Sequence, residues 1–214
     1  MKLYAHPFSS YSQKVLIALY ENATPFEYRN LEEPAANAEL AALWPLKRFP
    51  VLLDDGRCIL ESSTIVAHLQ AHHPGPVYLI PPGDAGLEVH MLDRVFDNYV
   101  MTPMQKVVLD ALRPVADHDR YGVAEARELL DQIYPWLDQR LAGRHWIAGA
   151  GFTLADCAAA PSLFYADWAH EISAGYGRLR AYRARLLSHP SIVRAVEEAR
   201  PFRHYFPLGA PARD

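Results

Sequence analysis

Cysteine is scarce in this chain, with two residues in 214, Cys58 and Cys157. They lie far apart in apolar surroundings, so a disulfide framework and a cysteine-based zinc site both lack support, and a reducing compartment fits best. Long apolar runs are missing too. No uninterrupted stretch approaches the roughly 20 residues that cross a bilayer, and Met1 to Pro7 lacks the apolar core of a secretory signal. A cytoplasmic protein with no membrane partner is expected. The third absence is an excess of positive charge: 21 Lys and Arg stand against 25 Asp and Glu, for a net charge of −4. No global field draws nucleic acid to such a surface, so a nucleic-acid partner is not expected. The ten histidines are scattered. His72 and His73 are adjacent at a helix end rather than spaced to share a face, and no metal site is expected.

What remains is ordinary globular composition, 50% hydrophobic and 21% charged, with length for one large domain or two small ones. Residues 2–5 form an apolar run stopped by His6-Pro7, and Pro25-Phe26-Glu27-Tyr28 starts a second; both read as strands. Between them Tyr11, Val15 and Leu19, beside Leu16 and Tyr20, make the stripe of an amphipathic helix. A softer alanine-rich stretch follows, Ala35 to Leu43. Phe49 to Leu53 and Arg57 to Leu60, joined at Asp54-Asp55-Gly56, read as a hairpin. A helix then carries Ile65, Val66 and Leu69, with Ser62 or Ser63 as N-cap and Pro74-Gly75-Pro76 as the stop. The first part of the chain thus reads β-α-β-α-β-β-α.

From Pro74 to Gly86 the text is rich in Pro and Gly, as a linker is, and everything beyond it looks helical. Leu92, Val95, Phe96 and Tyr99 mark one helix that Pro103 kinks or ends. Leu130, Ile133, Leu137 and Leu141 mark a second that tolerates Pro135. Thr153-Leu154-Ala155-Asp156 has the form of a capping box opening an Ala-rich, buried helix, which assigns Asp156 a structural role and leaves Cys157 an inert core residue. A last helix begins at Pro190. The stretch from Arg178 to Arg203 holds a local excess of arginine that reads as a solvated, internally paired face, with an anionic partner as the alternative. The aromatic ending Pro201 to Phe206 reads as packing, with a wall of a substrate pocket as the other reading.

Ser9 and Ser10 sit at a strand-to-helix junction, where free backbone N–H groups and the helix dipole stabilise an anion. Serine there caps the helix in the plain reading. In the functional one it donates a hydrogen bond to a thiolate, whose pKa falls in such surroundings. Local sequence leaves both open.

Other segments bear on the choice. Ser9-Ser10-Tyr11-Ser12-Gln13-Lys14-Val15 resembles the Ser-Ser-Cys-Ser-Trp-Arg-Val segment of zeta-class glutathione transferases and, more loosely, the serine-type theta and delta classes. Trp44-Pro45-Leu46-Lys47-Arg48-Phe49-Pro50-Val51 resembles the family's Asn-Pro-x-x-x-Val-Pro-x-Leu stretch, Glu61-Ser62 its acidic or amide residue followed by serine, and Gly151 to Asp156 its helical-domain signature. The resemblance implies a thioredoxin-like domain over 1–76, a linker over 77–85, an all-helical domain over 86–214, and a homodimer. It implies a cis bond before Pro50, with the Phe49 backbone pairing the cysteinyl part of glutathione. Glu61 and Ser62 then receive the γ-glutamyl end, and Lys47 and Arg48 face the glycyl carboxylate. Ser9 or Ser10 holds the thiolate, and Tyr11 borders the pocket of the second substrate, a small hydrophobic or anionic electrophile.

The implied activity is conjugation of glutathione, without metal. Two alternatives accompany it: a glutathione-dependent isomerase of the maleylacetoacetate type, and a non-catalytic interaction protein, since the same fold occurs in translation-factor subunits and stringent-starvation-type proteins. Tyr11, Trp44 and Phe49 depart from the zeta pattern. No cysteine near the first helix supports a mixed-disulfide subgroup.

Overall fold

A computed structural model describes all residues, Met1 to Asp214. The N-terminal part contains β1 (Lys2–Ala5), α1 (Ser10–Glu21), β2 (Glu27–Asn30), α2 (Pro34–Leu43), β3 (Val51–Asp54), β4 (Arg57–Ile59) and α3 (Ser62–His72). The helical part contains α4 (Asp84–Phe96), α5 (Thr102–Asp110), α6 (Arg120–Arg140), α7 (Leu154–Ala169), α8 (Gly177–Ser188) and α9 (Pro190–Ala199). A π-helical segment, Asp97–Met101, joins α4 to α5 without a break, and a 3-10 helix, Arg200–Tyr205, follows α9. This is a thioredoxin-like α/β domain followed by an all-helical one.

The sheet order is β2-β1-β3-β4, with β1 parallel to β2 and the other two pairs antiparallel. Alternation along the strands divides the side chains. Leu3, Ala5 and Leu52 join the main core under α1 and α3, while Tyr4 and Val51 face α2 and meet Leu31, Ala36 and Leu40. The hairpin turns at Asp55 and Gly56, both with positive φ, as the tight turn between right-twisted strands requires.

α1 is buried along most of its length because it packs against α3 on its own side and against α7 and α9 of the helical part on the other. α7 is buried from Leu154 to Asp167. Its run of alanines lets neighbouring backbones approach closely. The capping box is formed as expected, and Asp156 does more than cap. Its carboxylate accepts from the N–H groups of Thr153 and Ile147 and from the hydroxyls of Thr153 and Tyr182. The segment between α3 and α4 is pinned to both domains. Asn22 and Gln70 each bracket a linker residue, Val77 and Ile80, through its N–H and its carbonyl, and Leu154 N–H donates to the Leu79 carbonyl at 2.9 Å.

Two local expectations need correction. The N-cap of α3 is Glu61, which makes no side-chain capping bond, and Ser62 is already inside the helix. Pro103 does not end its helix. The π segment widens the turn ahead of the proline ring, and the Thr102 hydroxyl bonds the Asp97 carbonyl at 2.8 Å.

Candidate functional site

β1 ends at Ala5, and the chain turns through His6, Pro7 and Phe8 before α1 begins. Two side chains hold this turn. Gln13 donates to the Pro7 carbonyl at 3.0 Å, and the Tyr165 hydroxyl of α7 donates to the Phe8 carbonyl at 2.9 Å. Ser9 is the N-cap of α1, with φ −82 and ψ 125, and its Oγ accepts from Ser12 N–H at 3.3 Å. The capping reading is therefore realised. A hydroxyl has a donor as well as two lone pairs, so a capping Ser9 retains its O–H for another acceptor.

In front of Ser9 lies a cavity of about 680 Å³. Its walls bring together Ser9, Tyr11, Lys47, Arg48, Phe49, Pro50, Glu61 and Ser62, eight of the nine residues that the sequence singled out. The ninth, Ser10, is buried and lines a smaller, mostly apolar cavity of about 230 Å³. That second cavity is walled by Phe8, Met104, Val108, Tyr165, Tyr205, Phe206 and Pro207. Ser9, Phe49 and Gln105 line both. Tyr11 borders the larger, polar cavity and not the apolar one. The aromatic ending is a cavity wall as well as packing: Phe206 is buried against Trp168 while Tyr205 and Phe206 face the smaller space.

The Phe49–Pro50 peptide bond is cis, as the resemblance implied. Glu61 has φ 66 and ψ 121, a conformation unfavourable for a residue with a Cβ. Such strain persists where surrounding structure imposes it, and it concentrates at binding sites. Here it places a carboxylate at the cavity wall directly before the free N–H groups of α3. Lys47 and Arg48 are exposed and line the same cavity, and neither forms an ion pair within the chain.

The helical domain contributes residues that sequence reasoning did not find: Arg94, Asp97, Asn98 and Gln105 complete the larger cavity. Behind them Lys14 is 1% exposed, its Nζ 2.7 Å from Asp93 Oδ1 and 2.6 Å from Asp97 Oδ1. Arg94 caps the cluster from outside, bonded to Asp93 at 2.8 Å and also to Asp97 and the Ser63 hydroxyl. Burial opposes ionisation of both carboxyls. At Asp93 the Lys14 charge and hydrogen bonds from Lys14, Arg94 and Ser63 outweigh burial and hold the group below the usual range. At Asp97 burial, joined by repulsion from Asp93, prevails over Lys14 and raises it. Burial, aided by the Asp97 charge, also raises Tyr11, which stays a neutral phenol. The one available signal was a lysine in the predominantly apolar α1, together with two aspartates one turn apart where α4 passes into the π segment.

Residues 3–77 match the family model for the N-terminal domain of glutathione S-transferase, and residues 120–185 match that for its C-terminal domain. The chain belongs to the glutathione S-transferase family. Among similar glutathione S-transferase structures, one from Methylobacterium radiotolerans in complex with glutathione sulfonate is 27% identical, with a TM-score of 0.77 over 91% of this chain and 93% of that one. Two curated relatives show how varied such chains are. A stringent starvation protein A homologue from Coxiella burnetii is 26% identical over 168 residues, 77% of this chain and 75% of its own. A probable maleylacetoacetate isomerase from Vibrio cholerae is 26% identical over 210 residues, 93% of this chain and 96% of its own.

The chemistry of this family member's cavity suits a zwitterion with a second anionic end. Glu61 offers negative charge, and Ser62 with the start of α3 offers hydrogen-bond donors. Lys47 and Arg48 offer free positive charge on the same cavity wall.

Proposed function

We propose that this protein is a glutathione transferase, with glutathione in the larger cavity and a small electrophile in the smaller one. The observation that carries the reading is the position of Ser9 on the wall common to both cavities. A thiol lodged against Ser9 faces the second cavity without moving the rest of the tripeptide. Glu61 opposes the α-ammonium, while Ser62 and the N–H groups of α3 take the α-carboxylate. The Phe49 backbone lies beside the cysteinyl part, and Lys47 and Arg48 face the glycyl carboxylate.

Ser9 acts as a hydrogen-bond donor. Its Oγ already accepts from Ser12 N–H, which favours donation of the O–H outward. The N-terminus of α1 adds partial positive charge beside the sulfur. The thiol gives its proton to solvent, and the thiolate then forms a C–S bond with the electrophile. A leaving group departs with the bonding electrons, or a proton is taken up where the thiolate adds to a double bond. Ser10 does not line the larger cavity.

The test is glutathione binding by calorimetry, with the thiolate of the bound tripeptide titrated by its ultraviolet absorbance. Ser9→Ala is expected to raise the bound thiol pKa by about one to two units, equivalent to roughly 1.4 to 2.7 kcal/mol. Ser10→Ala is expected to leave it unchanged. No binding at millimolar glutathione would end the enzymatic reading.

An isomerase reading is favoured by one observation: Arg94 presents a half-exposed guanidinium to the cavity, where it can hold a substrate carboxylate. In that reading glutathione is regenerated, so its consumption with turnover separates the two activities. The arginine excess lends little to an interaction role. Arg178, Arg183, Arg194, Arg200 and Arg203 all pair with Asp or Glu of the same chain.

A further inference from the structure

At the end of α3 remote from the cavities, three ligating side chains from two elements converge. Asp54 closes β3, and its Oδ2 lies 2.9 Å from His68 Nε2 and 2.7 Å from His73 Nε2. All three ligand atoms lie within 4.8 Å of one another. Residues five apart on a helix point about 140° away from each other. The two imidazoles meet nonetheless, because α3 ends at His72 and His73 has left the helix, with φ −133 and ψ 55. That departure brings the second ring back over β3.

We propose that Asp54, His68 and His73 bind one divalent transition-metal ion of the zinc class. Two imidazole nitrogens and one carboxylate oxygen form a recognised zinc ligand set that leaves a fourth position for water. Imidazole selects Zn, Cu or Ni over Mg or Ca. A tetrahedral ion with bonds of about 2.0–2.1 Å holds its ligands roughly 3.3 Å apart, so each nitrogen has to retreat by about half an ångström. Rotation of the carboxylate and of the His73 ring supplies that distance.

The site is built rather than loose. The Asp54 and His68 side chains are 5% and 9% exposed on regular elements, whereas His73, at 33%, opens a path from solvent. His68 lies six residue steps along the helix from Ser62, about 9 Å along the axis. The ion therefore pins α3 to β3 and takes no part in chemistry at Ser9. The proposal is independent of the glutathione reading.

The experiment uses the full chain, stripped with chelator and titrated with zinc chloride by calorimetry, with cobalt(II) as a visible-absorbance probe. One ion per chain is expected. His68→Ala and His73→Ala each weaken it about tenfold or more, and His90→Ala, at an exposed histidine elsewhere, leaves it unchanged. Circular dichroism of the variants establishes that they are folded, and His73→Ala carries the test should His68→Ala not fold. Absence of zinc binding at millimolar concentration overturns the proposal. So does binding that survives both substitutions, since other histidines would then be responsible.

Discussion

Ser9 and Lys14 show how much a single side chain depends on what the rest of the chain places around it. Ser9 was legible from its neighbours alone as a helix cap, and the cap is formed. What local sequence could not supply was the space in front of it, which comes from residues 35 to 96 positions further along. Lys14 was invisible as anything but a polar interruption of an apolar stripe. It holds two buried carboxylates from the inside, while Arg94 bonds both from the outside. Lys14→Met is accordingly expected to destabilise the fold by about 3–5 kcal/mol, because it removes the buried cation and leaves the half-exposed Arg94 alone to balance Asp93 and Asp97. Urea denaturation measures this. Adding Asp93→Asn and Asp97→Asn to the same variant is expected to restore much of the loss, which a simple packing defect at position 14 would not allow.

At the scale of elements, β1, α1, the hairpin and the capping box of α7 were readable because each is specified by residues a few positions apart. The start of α3 was misread, since serine is a better cap than glutamate. The backbone there follows the cavity wall instead of capping preference. At the junction of α4 and α5, where kinking and ending were both open, a π segment lets Pro103 stay within a continuous helix and so excludes the ending. α2 is held to the sheet by a contact that local sequence does not announce. The Tyr4 hydroxyl donates to Glu39 at 2.7 Å, and burial, reinforced by this bond and the nearby carboxylate charge, pushes the phenol up to about 12. A group whose folded pKa is raised contributes stability below its unfolded value, about 10, and loses it as pH climbs through the folded one. Tyr4→Phe is therefore expected to make the loss of stability between about pH 10 and pH 12 shallower than in the parent chain. Chemical denaturation at stepped pH checks it, and an unchanged alkaline slope would contradict it.

The whole molecule is united by one core. A single cluster of 43 buried residues runs from Leu3 to Phe206 and includes α1, α3 and α7, so the two domains share an interior instead of meeting as separate bodies. The C-terminal aromatics extend that interior over the smaller cavity. Phe206→Ala is expected to raise KM for an apolar electrophile severalfold and leave KM for glutathione unchanged, as steady-state kinetics with each substrate varied will read. Equal change in both would place Phe206 in general stability rather than in the second pocket.

The sequence by itself determined the order of elements through α3 and the α/β-then-helical plan, because these rest on short-range periodicity and turn chemistry, and a resemblance in motif order pointed to seven residues that line one cavity. Tertiary structure alone decided that Ser9 rather than Ser10 faces the larger cavity, that Tyr11 stands apart from the apolar one, and that Arg94 and Asp97 complete the site. It also brought Asp54, His68 and His73 together, through a residue that turns out of its helix. Each of these depends on where distant segments come to rest against one another. That is set by burial summed over the whole core, and no local run of residues encodes it.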